Sequence, residues 1–547
     1  MEIQTMKKLE EEALKKSGTD FTRLGFALFF MIGVLTFSFL SNGGIPNNMF
    51  LAVAALIGAY MAMNIGANDV ANNVGPAVGS KAMTMTMAIV IAAVFEAAGA
   101  LIAGGEVVKT IKKGIIDISA FGGNADPFIW AMMAALLAAA LWLNFATMMR
   151  APVSTTHSIV GGVMGAGIAA AGFDIVDWGT MAKIAASWVI SPVLGGVIAA
   201  AFLFSIKKSI VFQDDKVAAA KKWVPIFVSI MSWAFVTYLT LKGLKKIWPQ
   251  IVEILNYLPL VSIEMTNKPS LLTALVMGGV VALIVFISVR VKLSSNTTAI
   301  ENTKASVNTL FTIPLVFAAA LLSFAHGAND VANAIGPLAA INDAIVNGGI
   351  SSKASIPLWV MGVGALGIAL GLGLYGPKLI KTVGTEITEL DQIRAFSIAM
   401  AASITVIIAS QLGLPVSSTH IAIGGVFGVG FLREYLHLSD TTSIEEDKSI
   451  IKDEKSNLNA YKAELSKLDK QDEKSTTQYE RVLELYKFIA DEEKIIKSAK
   501  KHIKQIKRVE YVKRDAVKKI IAAWLITVPA AAILAGLLFF MIKGIMV

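Results

Sequence analysis

Gly66-Ala67-Asn68-Asp69-Val70-Ala71-Asn72 stands in this sequence twice. The same seven residues return as Gly327-Ala328-Asn329-Asp330-Val331-Ala332-Asn333, and each copy is followed shortly by Gly-Pro, at Gly75-Pro76 and at Gly336-Pro337. Working outward, Pro152-Val153-Ser154-Thr155-Thr156-His157 follows the first copy at about 85 residues and Pro415-Val416-Ser417-Ser418-Thr419-His420 the second, each running into a Gly-rich apolar arm (Gly161-Gly162, Gly424-Gly425). Between them lies a weaker echo, Gly104 to Ile111 against Gly376 to Val383. The apolar body of the chain is therefore an internal duplication.

That body belongs in a bilayer. Of 547 residues 55% are hydrophobic and 16% charged, against about a quarter charged in soluble domains. Apolar runs long enough to cross a hydrocarbon core as helix begin near Leu24, Phe50, Ala82, Thr180, Trp223, Leu271, Leu310, Ile356 and Ile520. Phe128 to Ala171 and Ile393 to Leu432 are different: each is two apolar arms interrupted by a Pro-Val-Ser tip, the pattern of a re-entrant hairpin. The leader up to Arg23 balances acid and base, so the first run reads as an extra helix rather than a signal peptide. There is no cysteine, which excludes disulfides, thiolate metal sites and cysteine nucleophiles.

Charge is concentrated in one place. Arg433 to Lys519 holds 21 of the 49 Lys+Arg and 18 of the 40 Asp+Glu, with apolar residues at heptad-like spacing on either side of a break at Asp469 to Gln478. This predicts an antiparallel helical hairpin. Positive charge favours cytoplasmic loops. Placing Lys7, Lys8, Lys15, Lys16 and Arg23 inside also puts Lys207 to Lys222, Arg290, Lys292 and the charged insertion inside, and runs the two repeats in opposite directions. The net charge of +9 then reflects orientation, and no nucleic-acid partner is expected. Lys109, Lys112 and Lys113 fall outside on this count.

An Asp in an apolar segment costs several kcal/mol unless it is paired, hydrated or bound to a cation. Asp69 and Asp330 stand beside Asn68, Asn72, Asn329 and Asn333, with Gly before and Pro after, which predicts broken helices with freed carbonyls. Carboxylate, amide and carbonyl oxygens together suit a hard cation such as Na⁺, or H⁺ if a carboxyl titrates; the alternative is helix capping alone. At each tip Pro stops one arm and hydroxyl residues open the next helix, where free N–H groups favour an anion; Ser/Thr capping is the alternative there. Arg150, before the first tip only, is a counter-charge or an interfacial anchor. His157 and His420 read as structural rather than anion-contacting. Glu96 has no repeat counterpart and is a cation-site carboxylate or the partner of a basic residue. His326 precedes only the second motif and carries no reading.

These motifs, with the FEAAG and KTVGTE stretches, resemble the inorganic phosphate transporter (PiT/Pho4) family of sodium/phosphate symporters. The resemblance covers roughly Phe50 to Ser205 and Leu310 to Leu432. It implies phosphate uptake by alternating access, an ion and phosphate centre of Asn68, Asp69, Asn72, Asn329, Asp330 and Asn333, and a phosphate cradle of Ser154, Thr155, Thr156, Ser417, Ser418 and Thr419, with Arg150 added as a candidate anion contact. The extra first helix, the 433–519 insertion and Ser418 in place of Thr depart from the family pattern.

The expected fold is all-α: a polytopic membrane protein of two inverted repeats, broken helices and two re-entrant hairpins, with a cytoplasmic helical-hairpin insertion. Its segments are 1–49, a leader and extra helix; 50–206, the first repeat; 207–309, connecting loops and two helices; 310–432, the second repeat; 433–518, the charged hairpin; and 519–547, the last helix. The expected function is import of inorganic phosphate across the plasma membrane with sodium as the co-transported cation, bound by Asp69, Asn72, Asp330, Asn333 and Glu96, and no other cofactor; a homo-oligomer is the expected assembly. Proton-coupled symport of phosphate or sulfate is the alternative. A passive anion channel would leave the duplicated Asp unexplained, and a membrane enzyme using Ser154/His157 or Ser417/His420 would need a third orienting group.

Overall fold

A computed structural model describes residues 2–122, 124–149, 153–257, 263–296, 301–347, 356–386, 390–439, 442–470, 475–506, 512 and 514–546. Among them the only β pairing is one bridge, Ile116 to Val176, and the rest of the regular structure is helical. In hydrocarbon each backbone N–H and C=O must be satisfied within the segment, which selects helix for apolar runs of this length. Among the described residues eleven helical stretches are long and apolar enough to cross a membrane; they include the nine read from sequence and the first arm of each hairpin.

In chain order the helices are α1 (Glu2–Ser41), α2 (Asn48–Asn68), α3 (Val70–Gly79), α4 (Met85–Ala103), α5 (Gly105–Lys113), α6 (Ala125–Met148), α7 (Thr155–Ala171), α8 (Trp178–Ile206), α9 (Lys216–Tyr238), α10 (Trp248–Asn256), α11 (Leu271–Asn296), α12 (Lys304–Thr309), α13 (Thr312–Val346), α14 (Leu358–Glu386), α15 (Gln392–Gln411), α16 (Ser418–Ser439), α17 (Thr442–Asp469), α18 (Thr476–Ile506) and α19 (Arg514–Met546). Short polar caps set their starts: Thr84 accepts from Met87 N at α4, Asp177 from Thr180 N at α8 and Asp391 from Arg394 N at α15, each filling an N–H that the first helical turn leaves free.

Two compact units result. The first comprises residues 1–429 and 514–547, the second Gly430–Lys513. At the centre of the first lies α13, in which every residue from Ala318 to Ile345 is buried. A helix surrounded on all sides has no lipid-facing stripe. By contrast α11 shows Leu272, Val276, Val280, Leu283 and Ile287 at its surface, as a lipid-facing helix does.

The two copies of the duplicated motif are packed by exchange. Helix α14 lies on α2, and α4 lies on α13. The contacts repeat residue for residue: a Cβ on Gly66 would meet Ile368 O at 1.9 Å, and one on Gly327 would meet Glu96 O at 2.1 Å. Ile368 and Glu96 are equivalent in the echo, each eight residues before its glycine, Gly376 or Gly104. The hairpins are exchanged in the same way. Helix α19 lies along α7 and α6, with Gly161 and Gly165 against the Val528 and Ala532 carbonyls; α8 meets α16 at the equivalent Gly424 and Gly428, against the Pro192 and Gly196 carbonyls. Small residues at such crossings let backbones approach closely, which is how helices associate in lipid. Helix α19 thus lays one face, with Thr527, Ala531 and Ala535 buried, along the first hairpin and leaves Leu525, Ile533 and Leu537 exposed.

The ends of the first hairpin are tied together, since Asp117 N donates to Ile175 O at 2.7 Å and Asp177 N to Ile115 O at 3.0 Å. One expectation needs correcting. The first motif interrupts its helix only at Asp69, whose φ of −82° and ψ of −36° stay helical, and α13 passes through the second motif unbroken. What is freed is narrower: Pro76 and Pro337 have no N–H to give the carbonyls of Asn72 and Asn333 one turn earlier.

In the second unit α17 and α18 run antiparallel. Lys462 Nζ donates to Glu493 at 2.7 Å, Arg481 holds Glu464 through two nitrogens at 2.9 and 3.3 Å, Tyr461 stacks on Phe488, and Leu485 is buried between the arms. Tyr479, near the start of α18, is 59% exposed although it falls in the heptad-like spacing.

Candidate substrate and ion site

Asn68 and Asp69 are consecutive and Asn72 follows one turn on, as Asn333 follows Asn329 and Asp330, and all six side chains are buried. Each Asp-Asn face meets both hairpin tips. Thr155 donates to Asp69 Oδ2 at 2.6 Å, and the equivalent Ser418 donates to Asp330 Oδ2 at 2.9 Å. Across the repeats, Asn72 Nδ2 donates to Thr419 Oγ1 at 2.9 Å and Asn333 Nδ2 to Thr156 Oγ1 at 3.1 Å. Outward, Asn68 reaches Thr147 on α6, and Asn329 reaches Ser410 on α15, each at 2.9 Å. Thr419 also donates to Asp69 Oδ1 at 3.2 Å, closing the ring. The geometry follows a pseudo-two-fold relation between the copies.

Asn donates through its amide nitrogen in every one of these contacts. The carbonyl oxygens of Asn68, Asn72, Asn329 and Asn333 have no protein donor, nor has Asp330 Oδ1. A buried acceptor without a donor costs about 1–3 kcal/mol. Four such amide oxygens beside two carboxylates, one of them with a partnerless oxygen, are a hard-cation environment.

The symmetry is broken in one place. Glu96 Oε2 lies 2.7 Å from His326 Nδ1, and Glu96 Oε1 accepts from Asn73 Nδ2 at 2.7 Å. His326 Nε2 is 2.9 Å from Asp330 Oδ2, a close ionic contact off the hydrogen-bond direction. Asp69, His326 and Asp330 each supply a ligand atom within 4.8 Å of the others. The positions equivalent to Asn73, Glu96 and His326 are Ala334, Ile368 and Ile65, all apolar.

The sequence pattern of the phosphate transporter family matches residues 65–535. The chain belongs to the phosphate transporter family. A protein of Helicobacter pylori strain J99 described as "Putative phosphate permease" is 49% identical over 544 residues, 98% of each chain. One of the same description from Thermococcus kodakarensis is 39% identical over 386 residues, 70% of this chain and 89% of the relative. The solved structure titled "The sodium-dependent phosphate transporter" superposes with a TM-score of 0.70 at 29% identity, covering 90% of this chain and 99% of that one. Family membership makes the protein a multi-pass membrane phosphate transporter and removes the enzyme reading.

Within this family member the residues singled out from sequence take distinct positions. Thr155, Thr156, Ser418 and Thr419 converge with the two Asp-Asn faces. Ser154 and Ser417 turn their hydroxyls to the backbone N–H groups of His157 and His420, at 3.1 and 3.3 Å, as N-caps of α7 and α16. Glu96 reaches the centre only through His326, both of its oxygens being engaged by side chains. Arg150 lies outside the described residues. His420 stacks on Trp524 with centroids 3.6 Å apart, His157 meets His420 and Trp188 edge-on at 4.5 and 3.8 Å, and neither imidazole hydrogen-bonds to the Asp-Asn faces. Asn73 and His326 were missed because the duplication does not repeat them; the one signal was His326 standing a helical turn before Asp330.

Proposed function

We propose that the protein imports inorganic phosphate across the plasma membrane by symport with sodium, through alternating access of two inverted repeats. The observation carrying this reading is the set of partnerless acceptor oxygens around Asp69 and Asp330. An anion does not enter beside two carboxylates unless cations enter with it. Asp69, Asn72, Asp330 and Asn333 would hold Na⁺ through carboxylate, amide and Pro-freed backbone oxygens, and Glu96 would fix His326 against Asp330. The hydroxyls of Thr155, Thr156, Ser418 and Thr419 and the first N–H groups of α7 and α16 would cradle phosphate. Hydrogenphosphate has a proton to donate to Asp330 Oδ1, whereas sulfate has none at neutral pH.

Co-moving cations also meet the energetic need. Concentrating an anion against an inside-negative potential costs about 2.3 kcal/mol per charge per 100 mV. The exchanged packing of α4 and α14, and of α8 and α19, supports two halves related by an axis in the membrane plane. On this reading α19 completes the second repeat and the 433–518 hairpin is carried within it. Proton coupling is the second reading, and His326 between Glu96 and Asp330 is what favours it.

Uptake of radiolabelled phosphate into proteoliposomes under an imposed Na⁺ or H⁺ gradient decides between them, with Asp330→Asn as the inactive control. Sodium-driven accumulation is expected; uptake indifferent to both gradients would sink the symport reading.

A further inference from the structure

Lys109, one of the lysines that run against the positive-inside pattern, meets two further lysines in space. Helix α5 follows directly on the end of α4, and the turn after α9 packs beside it: a Cβ on Gly243 would lie 2.7 Å from Ile102. Glu106 on α5 is shared by Lys109 at 3.3 Å and Lys245 at 3.5 Å, and Lys242 stands close enough to act on the same carboxylate. Three ammonium groups around one carboxylate leave an excess of two positive charges. The lysines are accessible, Lys109 at 59% and Lys245 at 47%. Partial burial would raise the Glu106 pKa, yet the charges of Lys242, Lys109 and Lys245 hold it below its ordinary value, so the local field is positive.

This cluster sits at the outer end of the helices. Lys216, Lys221 and Lys222 occupy the start of α9, and Lys242 and Lys245 follow its opposite end. With the first set inside, as the overall Lys/Arg distribution requires, the second is outside. It is also tied to the centre. Thr110, next to Lys109, donates to Gly413 O at 2.7 Å in the second hairpin tip, and the following carbonyl, Leu414 O, accepts from Asn329 at 3.2 Å.

We propose that Lys109, Lys242 and Lys245 form an outer capture site for a multiply charged tetrahedral oxyanion, in which the arriving anion takes the place of Glu106. On the transport reading above, on which this inference rests, the anion is hydrogenphosphate. A positive patch beside low-dielectric walls raises the encounter rate of an anion about 10- to 1000-fold, and salt removes the gain. Retaining lysines on the outer side has a function if they collect substrate there.

The test compares phosphate uptake by right-side-out and inside-out vesicles at fixed Na⁺, with ionic strength varied by choline chloride. The triple variant K109Q/K242Q/K245Q raises the KM for phosphate offered from outside several-fold at low ionic strength, the difference fading at high salt. Its KM for phosphate offered from inside changes little. K109R/K242R/K245R retains the external KM, and Glu106→Gln lowers it. An unchanged external KM in the triple Gln variant, or an equal rise on both sides, overturns the capture site alone. Absence of gradient-driven uptake by the unsubstituted protein overturns the transport reading and this site together.

Discussion

His326 Nδ1 lies 2.7 Å from Glu96 Oε2 where α4 crosses α13, and the equivalent crossing of α14 over α2, at Gly66 and the Ile368 carbonyl, has Ile65 and Ile368 in their places. One site therefore has two nearly identical halves and one polar difference between them. Asn73 and Glu96 of one copy meet His326 of the other with no counterpart across the pseudo-two-fold, so the two crossings are chemically unequal.

Replacing His326 alone should be severe. His326→Ile leaves Glu96 and Asp330 buried without their shared partner, and removing one member of a buried pair costs about 3–5 kcal/mol. The combined variant N73A/E96I/H326I restores at this crossing the apolar set of the other and should regain most of the thermal stability in detergent without regaining cation-driven uptake. Equal melting temperatures for the single and the combined variant would contradict this.

Thr155 and Thr419 should outrank the other tip hydroxyls. Each donates to Asp69 and accepts from an Asn of one motif. A hydrogen bond to a charged group contributes about 1.5–3 kcal/mol, so Thr155→Val or Thr419→Val should lower kcat/KM for phosphate about 10- to 100-fold. Thr156→Val, whose hydroxyl donates to the Val416 carbonyl, should lose less. Initial-rate uptake measurements rank the three.

Lys112 and Asp343 form an ion pair at 2.9 Å with both side chains more than nine-tenths buried. Lys112→Met or Asp343→Leu alone should destabilise by about 3–5 kcal/mol, and the double variant should recover most of that loss. A double-mutant cycle on thermal unfolding in detergent reads the coupling directly.

Close helix crossings predict intolerance to the smallest side chain. A Cβ at position 428 would lie 2.0 Å from Gly196 O, and one at position 165 would lie 2.2 Å from Ala532 O. Gly428→Ala and Gly165→Ala should push α8 or α19 outward and reduce the yield of monodisperse protein, whereas Gly362→Ala, with open space around it, should not.

The sequence announces what it says twice. The GANDVAN copies, the hydroxyl tips and the spans were legible because duplication and apolar length are local signals. Asn73, Glu96 with His326, and Lys112 with Asp343 have no second copy, and their pairing depends on α4 and α5 reaching across to α13. The unbroken course of α13 was hidden for a related reason: Gly and Asn weaken an isolated helix, but burial on all sides overrides that preference. At Ser154 and Ser417 the sequence left a cap and an anion ligand both open, because the two use the same hydroxyl chemistry.

The packing of α19 on α7 also orders the making of the protein. The Gly161 and Gly165 face of α7 is made early in synthesis, but the helix that covers it is made only after the charged 433–513 segment has been translated. Until then a strip of small residues lies open in the bilayer. Assembly of the first hairpin therefore waits on a helix that lies more than 340 residues further along the chain, however early its own binding residues are in place.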